Sequence, residues 1–213
     1  MAAPTSNIHI CNLALDRIGV APITSIETPT TTTEDICARH YDSTRREMLR
    51  RFIFNFAKKY AILTADPLKT PAFGFGSAYA LPNDFIRLMA IGDVTLNADT
   101  PSSLFDVAEG YIFTDSGDGE DGDVNMQYVF DAQNVSKYDP LFVRLLTLQL
   151  AANMAYKFTL KPSLISGIRE ELADIALAAA AVAGQEKPPR RIQRSKFRDA
   201  RRQGPRFRDN THV

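Results

Sequence analysis

At 213 residues and 45% hydrophobic content, the chain has the size and composition of one globular domain, or of one domain with an insertion. No apolar run is long enough to span a bilayer, and the opening MAAPTSNIHI lacks a basic region followed by an apolar one, so neither a membrane segment nor a secretion signal is expected. The formal charge is zero but unevenly spread: residues 186–213 hold ten Lys or Arg against three acids, a net of +7, which leaves residues 1–185 at −7.

A polar arm leads into a first helix over about 6–19. Thr5 or Ser6 can cap it, Ile8, Cys11, Leu15 and Ile18 fall on one face, and Gly19 is a C-cap signal. A loop with two prolines and a threonine run follows. Thr33 or a threonine before it caps the second helix, expected over 34–57, with Glu34 and Asp35 at its positive end. Cys37, Tyr41, Thr44, Met48, Phe52 and Phe56 recur at helical spacing, widened by Leu49 and Ile53. The opposite face carries Arg39, Asp42, Arg45, Arg46, Glu47, Arg50 and Arg51. It is either solvated or turned toward another subunit. Cys11 and Cys37 lie on apolar helix faces and in no metal-ligand spacing, so both are expected as free buried thiols of a protein made in a reducing cytosol.

From Ala57 to about Asn134 the helical period disappears and Pro and Gly punctuate short β-type runs. Strands are expected at Tyr60–Leu63, Phe85–Ile91, Asp93–Leu96, Gly110–Phe113 and Val124–Phe130, the last two joined as a hairpin through an acidic loop. In the final run Val124, Met126, Tyr128 and Phe130 alternate with Asn125, Gln127 and Val129, which suits a half-buried strand. A helix over 139–158 follows, capped by Asp139 with Pro140 at its first position. Apart from a stripe of Gln149, Asn153 and Lys157 it is apolar all round, so it belongs at the centre of a bundle or in a subunit interface. After Lys161-Pro162-Ser163, a fourth helix over about 163–184 presents Leu164, Ile168, Leu172, Ile175, Ala179 and Val182, and ends in an alanine-rich run. Gly184 and Pro188-Pro189 stop it.

Few features suggest chemistry. The loop Asp115-Ser-Gly-Asp-Gly-Glu-Asp-Gly-Asp123 fails the EF-hand spacing, because glycines stand at the third and fifth positions counted from Asp115. It reads as a solvated tip, or as a loop whose Asp115, Asp118, Glu120, Asp121 and Asp123, repeated around a ring, would line a pore with negative charge and repel passing DNA. His9, His40 and His212 are scattered, and Glu34-Asp35 and Glu170-Glu171 are helix neighbours pointing about 100° apart, unlike a hydrolytic carboxylate pair. No catalytic motif is present in the sequence, and no cofactor or metal is expected. The basic tail has three readings: a solvated segment, a nucleic-acid contact with Phe197 and Phe207 interleaved among the cations, or a strap for an acidic protein partner.

Several segments carry a resemblance when taken in order: Asn12-Leu-Ala-Leu with Ile18-Gly19, Pro22-Ile23, Tyr41-Asp42 with Arg45, and Phe54-Asn-Phe-Ala57. Ala78-Tyr79, Leu81-Pro82, Asp84 and Arg87-Leu88 follow, then an alanine-rich helical pair. Over about residues 7–184 the chain resembles the tail tubular protein A, or head-to-tail adaptor, family of short-tailed bacteriophages. Phe54 stands where that family often has Trp, and the position still holds a large ring. The resemblance implies a structural, non-enzymatic virion protein made in the host cytoplasm. It would form a twelve-fold ring of identical subunits between the portal protein and the tail nozzle, near the tail fibres, with double-stranded DNA passing through unbound and no membrane involved. Some relatives are thought to degrade peptidoglycan, which leaves a virion-associated hydrolase as an alternative, beside a nucleic-acid-binding protein that uses the tail.

The expected fold class is therefore α+β. An antiparallel bundle of about four helices (1–57 and 136–184) carries a β-rich insertion (58–135) between the second and third helices, and an extended basic C-terminal tail (185–213) follows. Phe54 and Phe56 would plant two rings where the bundle hands the chain to the insertion. The tail, through Arg190, Arg191, Arg194, Lys196, Arg198, Arg201, Arg202 and Arg206, would pair with acidic surface on the portal.

Overall fold

The computed structural model of the chain describes residues 6–69, 71, 74–92, 94–96, 104–115, 117, 122–159 and 161–185. Helix α1 (Asn7–Ile18) is capped by Ser6, whose hydroxyl accepts from the His9 N–H, and ends on Gly19 in the left-handed region at φ 72°. Helix α2 (Thr32–Arg51) starts with a full capping box: Thr31 accepts from the Glu34 N–H, and the Glu34 carboxylate accepts from the Thr31 N–H.

Helix α2 ends six residues earlier than its apolar spacing suggests. Phe52 is already extended at φ −115° and ψ 141°, and the chain re-enters only a short 3-10 helix at Asn55–Ala57. Aromatic packing replaces the helix there. The Phe54 and Phe56 rings lie 5.3 and 5.0 Å from the ring of Phe142, and Phe56 lies 5.3 Å from that of Tyr138. Helix α3 (Pro140–Phe158), capped by Asp139 after a second 3-10 helix at Val135–Lys137, packs against α1, α2 and α4 (Pro162–Gln185). Most of its apolar surface is thus covered within the chain: Phe142, Leu145, Leu146, Leu148, Leu150 and Met154 are fully enclosed, while Tyr156 stays exposed. Along the polar stripe, half-buried Gln149 donates to Asn153 and Asn153 donates to the Thr44 hydroxyl of α2, both at 3.0 Å, while Lys157 is exposed.

Seven strands lie between α2 and α3: β1 (Lys58–Leu63), β2 (Ser77–Ala80), β3 (Phe85–Ile91), β4 (Val94–Thr95), β5 (Asp106–Ala108), β6 (Tyr111–Thr114) and β7 (Val124–Phe130). They form two antiparallel sheets, ordered β1-β7-β3-β4 and β2-β6-β5. The expected hairpin between the Gly110–Phe113 and Val124–Phe130 runs does not form, because β6 and β7 belong to different sheets. Strand β6 instead turns back on β5 through Glu109-Gly110, both at positive φ (55° and 79°), the backbone signature of the two-residue turn whose twist matches antiparallel strands.

The expected fold class needs correction. The strands do not make an insertion hung on a four-helix bundle. The chain is an α+β fold of four helices and two antiparallel sheets, and the first sheet is part of the helical core. Ile86 and Met89 of β3 and Val129 of β7 are buried in one cluster with α1, α2 and α3. Leu88 and Ile91 of β3, with Val124, Met126 and Tyr128 of β7, join Tyr79 and Ile112 of the second sheet in another cluster. Register shifts in β3 between Phe85 and Arg87, and between Leu88 and Ala90, let that strand feed both sides. Because the sheet is covered on both faces, β7 is not half-buried throughout, and Val129, which the alternation groups with Asn125 and Gln127, is fully enclosed. Of the expected extended basic tail (185–213), Gln185 is the last residue of α4 and residues 186–213 lie outside the described residues.

Candidate functional site

The residues that carry the resemblance converge on the joints between elements. Asn12 of α1 accepts from the Ile23 N–H at 2.8 Å and donates to the Ile23 carbonyl at 3.1 Å, which clasps the first loop to its helix. Arg45 of α2 is buried. Its guanidinium donates to the Ala132 carbonyl at 2.8 Å, lies 2.8 Å from the Asp131 carboxylate and reaches Asp42 at 3.1 Å. The same Ala132 carbonyl accepts from the Tyr138 hydroxyl at 2.9 Å. Tyr41 packs beside Tyr138, and its hydroxyl has no hydrogen-bond partner among the described residues. Burial, then the neighbouring Tyr138 phenol, pushes the Tyr41 phenol well above its ordinary range, so it stays protonated.

Asp84 ties strands of the first sheet. It accepts from Lys59 of β1 at 2.7 Å and from the Tyr128 hydroxyl of β7 at 2.9 Å, and its carbonyl accepts from the Asp131 N–H at 2.7 Å. Desolvation works to raise its pKa, and the Lys59 and Tyr128 donors outweigh it, so the net shift is downward. Between β3 and α2 two arginines cross. Arg50 donates to the Ile86 carbonyl at 2.8 Å, and Arg87 donates to the Arg50 carbonyl at 3.2 Å, satisfying an acceptor in the last turn of α2.

Glu34 is a buried carboxylate whose role in the loop before it is not visible from helix spacing. Besides the capping box it accepts from the backbone and hydroxyl of Thr24, the backbone of Ser25, and the backbone and hydroxyl of Thr30. These donors, led by the Thr30 N–H and hydroxyl, hold its pKa far below the usual carboxylate range. The threonine run is thus a ligand shell for one carboxylate. Cys11 and Cys37 are free and buried. The hydrogen bond with Cys37 and then burial raise the Cys11 pKa far above that of an ordinary thiol, so Cys11 is no nucleophile at neutral pH.

On the arginine face of α2, expected to be solvated or turned toward a neighbour, Arg39, Asp42, Arg46, Glu47, Arg50 and Arg51 are exposed and Arg45 is buried, and several of these arginines also bind within the chain. Arg45 and Arg50 are bound as above, Arg39 pairs with Asp35, and Arg46 lies 3.9 Å from Asp131. The guanidinium of Arg51 lies 5.4 Å over the Phe52 ring. Of the acidic loop, Asp115 is exposed and accepts from the Gly76 N–H at 2.6 Å. Asp123 is half-buried, and Asp118, Glu120 and Asp121 lie outside the described residues. So do the tail residues Arg190, Arg191, Arg194, Lys196, Arg198, Arg201, Arg202 and Arg206. Gly117 is fixed by close approach, since a Cβ there would meet the Tyr79 hydroxyl at 2.5 Å and the Gly122 carbonyl at 2.6 Å. Tyr79 donates to that carbonyl at 2.8 Å, pinning the loop to β2.

Two apolar surfaces face outward. On α4, Leu177 is 73% exposed, and Ala173, Ala178, Ala180, Ala181 and Val182 are exposed beside it. On β1, an outer strand of its sheet, Tyr60 and Ile62 are exposed next to the covered part of the same face. Their outward direction was missed because spacing gives a face without saying which face is covered. Among the described residues no group of three or more His, Cys, Asp or Glu side chains could hold a metal, and no helix is long and apolar enough to cross a membrane. Neither a protein-family model nor a curated protein matches the chain.

Proposed function

We propose that the chain is an architectural subunit of a short-tailed bacteriophage virion: a head-to-tail adaptor that assembles as a ring between portal and tail nozzle and lets DNA pass through its centre. The observation that carries this reading is the placement of the motif residues. Asn12, Arg45, Asp84 and Arg87 each close a joint between separate elements, as a shared architectural pattern requires. The exposed apolar face of α4 supplies a surface of the kind that subunit contacts cover. The basic tail, of opposite charge to the rest of the chain, would extend to acidic portal surface.

Mixing the purified chain with portal protein and viewing the product by electron microscopy tests the proposal. The expected product is a closed ring of this chain seated on the portal ring, lost when residues 186–213 are deleted although the remaining body still folds. No ring complex under any assembly condition, or clearing of peptidoglycan in a zymogram with loss of clearing on changing one carboxylate, would overturn it.

A further inference from the structure

A groove of about 170 Å³ runs between the end of α2 and the middle of α4. Met48, Leu172 and Ala176 give it an apolar floor, and Arg51 and Arg169 flank it. Both arginines are exposed, and both are steadied by a ring. Arg51 lies over Phe52, while Arg169 lies 5.7 Å over Tyr156 and donates to its hydroxyl at 3.3 Å. No carboxylate among the described residues forms an ion pair with either one, whereas Arg17, Arg39, Arg45, Arg46 and Arg144 all have one. In a body whose residues 1–185 carry a net −7, two preoriented and uncompensated guanidiniums on one groove stand out.

We infer that this groove receives the acidic β6–β7 loop of a second copy of the chain. The loop, residues 115–123, holds five carboxylates and no cation, so its charge is opposite to that of the groove. Both its ends are anchored at the second sheet, through Asp115 on the Gly76 N–H and Gly122 on the Tyr79 hydroxyl, while the groove belongs to the helical side of the fold. The basic tail is a poor occupant, because its ten cations would face two more. A contact between two different surfaces of identical chains propagates head to tail and closes into a ring when the rotation permits. The inference deepens the adaptor reading and rests on it for the ring, though the loop–groove contact can be measured without one.

The test has two arms. In the first, a fluorescent peptide of residues Thr114–Val124 is titrated with the full chain at low salt and read by anisotropy. Saturable binding is expected, weakened at least about tenfold in Arg51→Gln/Arg169→Gln and for a peptide with Asn and Gln replacing its acids. Equal binding by these variants, or no binding by the wild type, overturns the inference, and circular dichroism checks that the exposed substitutions leave the fold intact. In the second arm, ring assembly on portal is scored for Asp118→Lys/Glu120→Lys, for Arg51→Glu/Arg169→Glu, and for the two combined. Loss in each alone and recovery in the combination supports the pairing. Wild-type rings untouched by both reversals overturn the pairing and leave the adaptor reading standing. Specific peptide binding with no wild-type ring overturns the adaptor reading and leaves the pairing as a self-contact. Preference for an acidic peptide of unrelated sequence over the loop peptide overturns the second-copy assignment.

Discussion

Arg45 and Asp131 lie 2.8 Å apart at the junction of α2 with the end of β7, with the arginine side chain 3% exposed and the carboxylate 15%. The contact is an ion pair rather than a directed hydrogen bond, since Asp131 Oδ1 accepts none among the described residues, and the Ala132 carbonyl shares the guanidinium. Truncating one partner strands a desolvated charge. Arg45→Ala is expected to destabilise the fold by about 3–5 kcal/mol in urea unfolding. Asp42→Ala removes only the exposed partner on the same arginine and should cost less than about 1 kcal/mol. Equal costs would show that Arg45 is not the junction's anchor.

Glu34 makes a pH prediction. Its folded pKa is depressed, so its contribution to stability is fully present above the ordinary glutamate value of 4.5 and is lost as pH falls below it toward the depressed folded value. Wild type should melt well above Glu34→Gln near neutral pH, and the gap should narrow steadily on acidification below that value. A gap that stayed constant down to the acid limit would mean that the carboxylate's charge is irrelevant to the loop it holds.

The crossed arginines of α2 and β3 are more exposed and carry less. Arg87→Gln loses a donor to the Arg50 carbonyl, and Arg50→Gln loses a donor to the Ile86 carbonyl. Each should cost about 0.5–1.5 kcal/mol, and because both bonds span one joint the double substitution should cost less than the sum. A double-mutant cycle with strict additivity would contradict this coupling.

Leu177 separates folding from assembly. It is 73% exposed on α4, so Leu177→Lys should change unfolding stability by no more than about 0.5 kcal/mol. On the adaptor reading the same change should stop ring formation on portal, seen by electron microscopy. Rings that form normally would remove this face from the interface.

The helices were largely legible because their periodicity and caps agree: Ser6, Thr31, Asp139 and Pro140 all stand where the spacing asks for them. The end of α2 was not legible, since Phe52 and Phe56 continue the apolar spacing while aromatic packing on Phe142 and Tyr138 sets the real backbone path. Strands β2 and β5 were missed because Ser77-Ala-Tyr-Ala80 and Asp106-Val-Ala108 are short and poor in branched residues. The turn at Glu109-Gly110 is also a weaker signal than Asn-Gly, which let the wrong hairpin look natural. Of the candidate site, the arginine face of α2 was visible as charge, but its internal partners are backbone carbonyls and a carboxylate far along the chain, which no local pattern encodes.

Strand β7 gives Val129 to the core shared with the helices and Val124, Met126 and Tyr128 to the core shared with the second sheet. Neither core can open without stripping one side of the same seven residues. The helical and sheet halves should therefore melt together in a single transition, with the β7 amides among the slowest in the chain to exchange with deuterium. A chain built this way would carry load from one end to the other as a single piece.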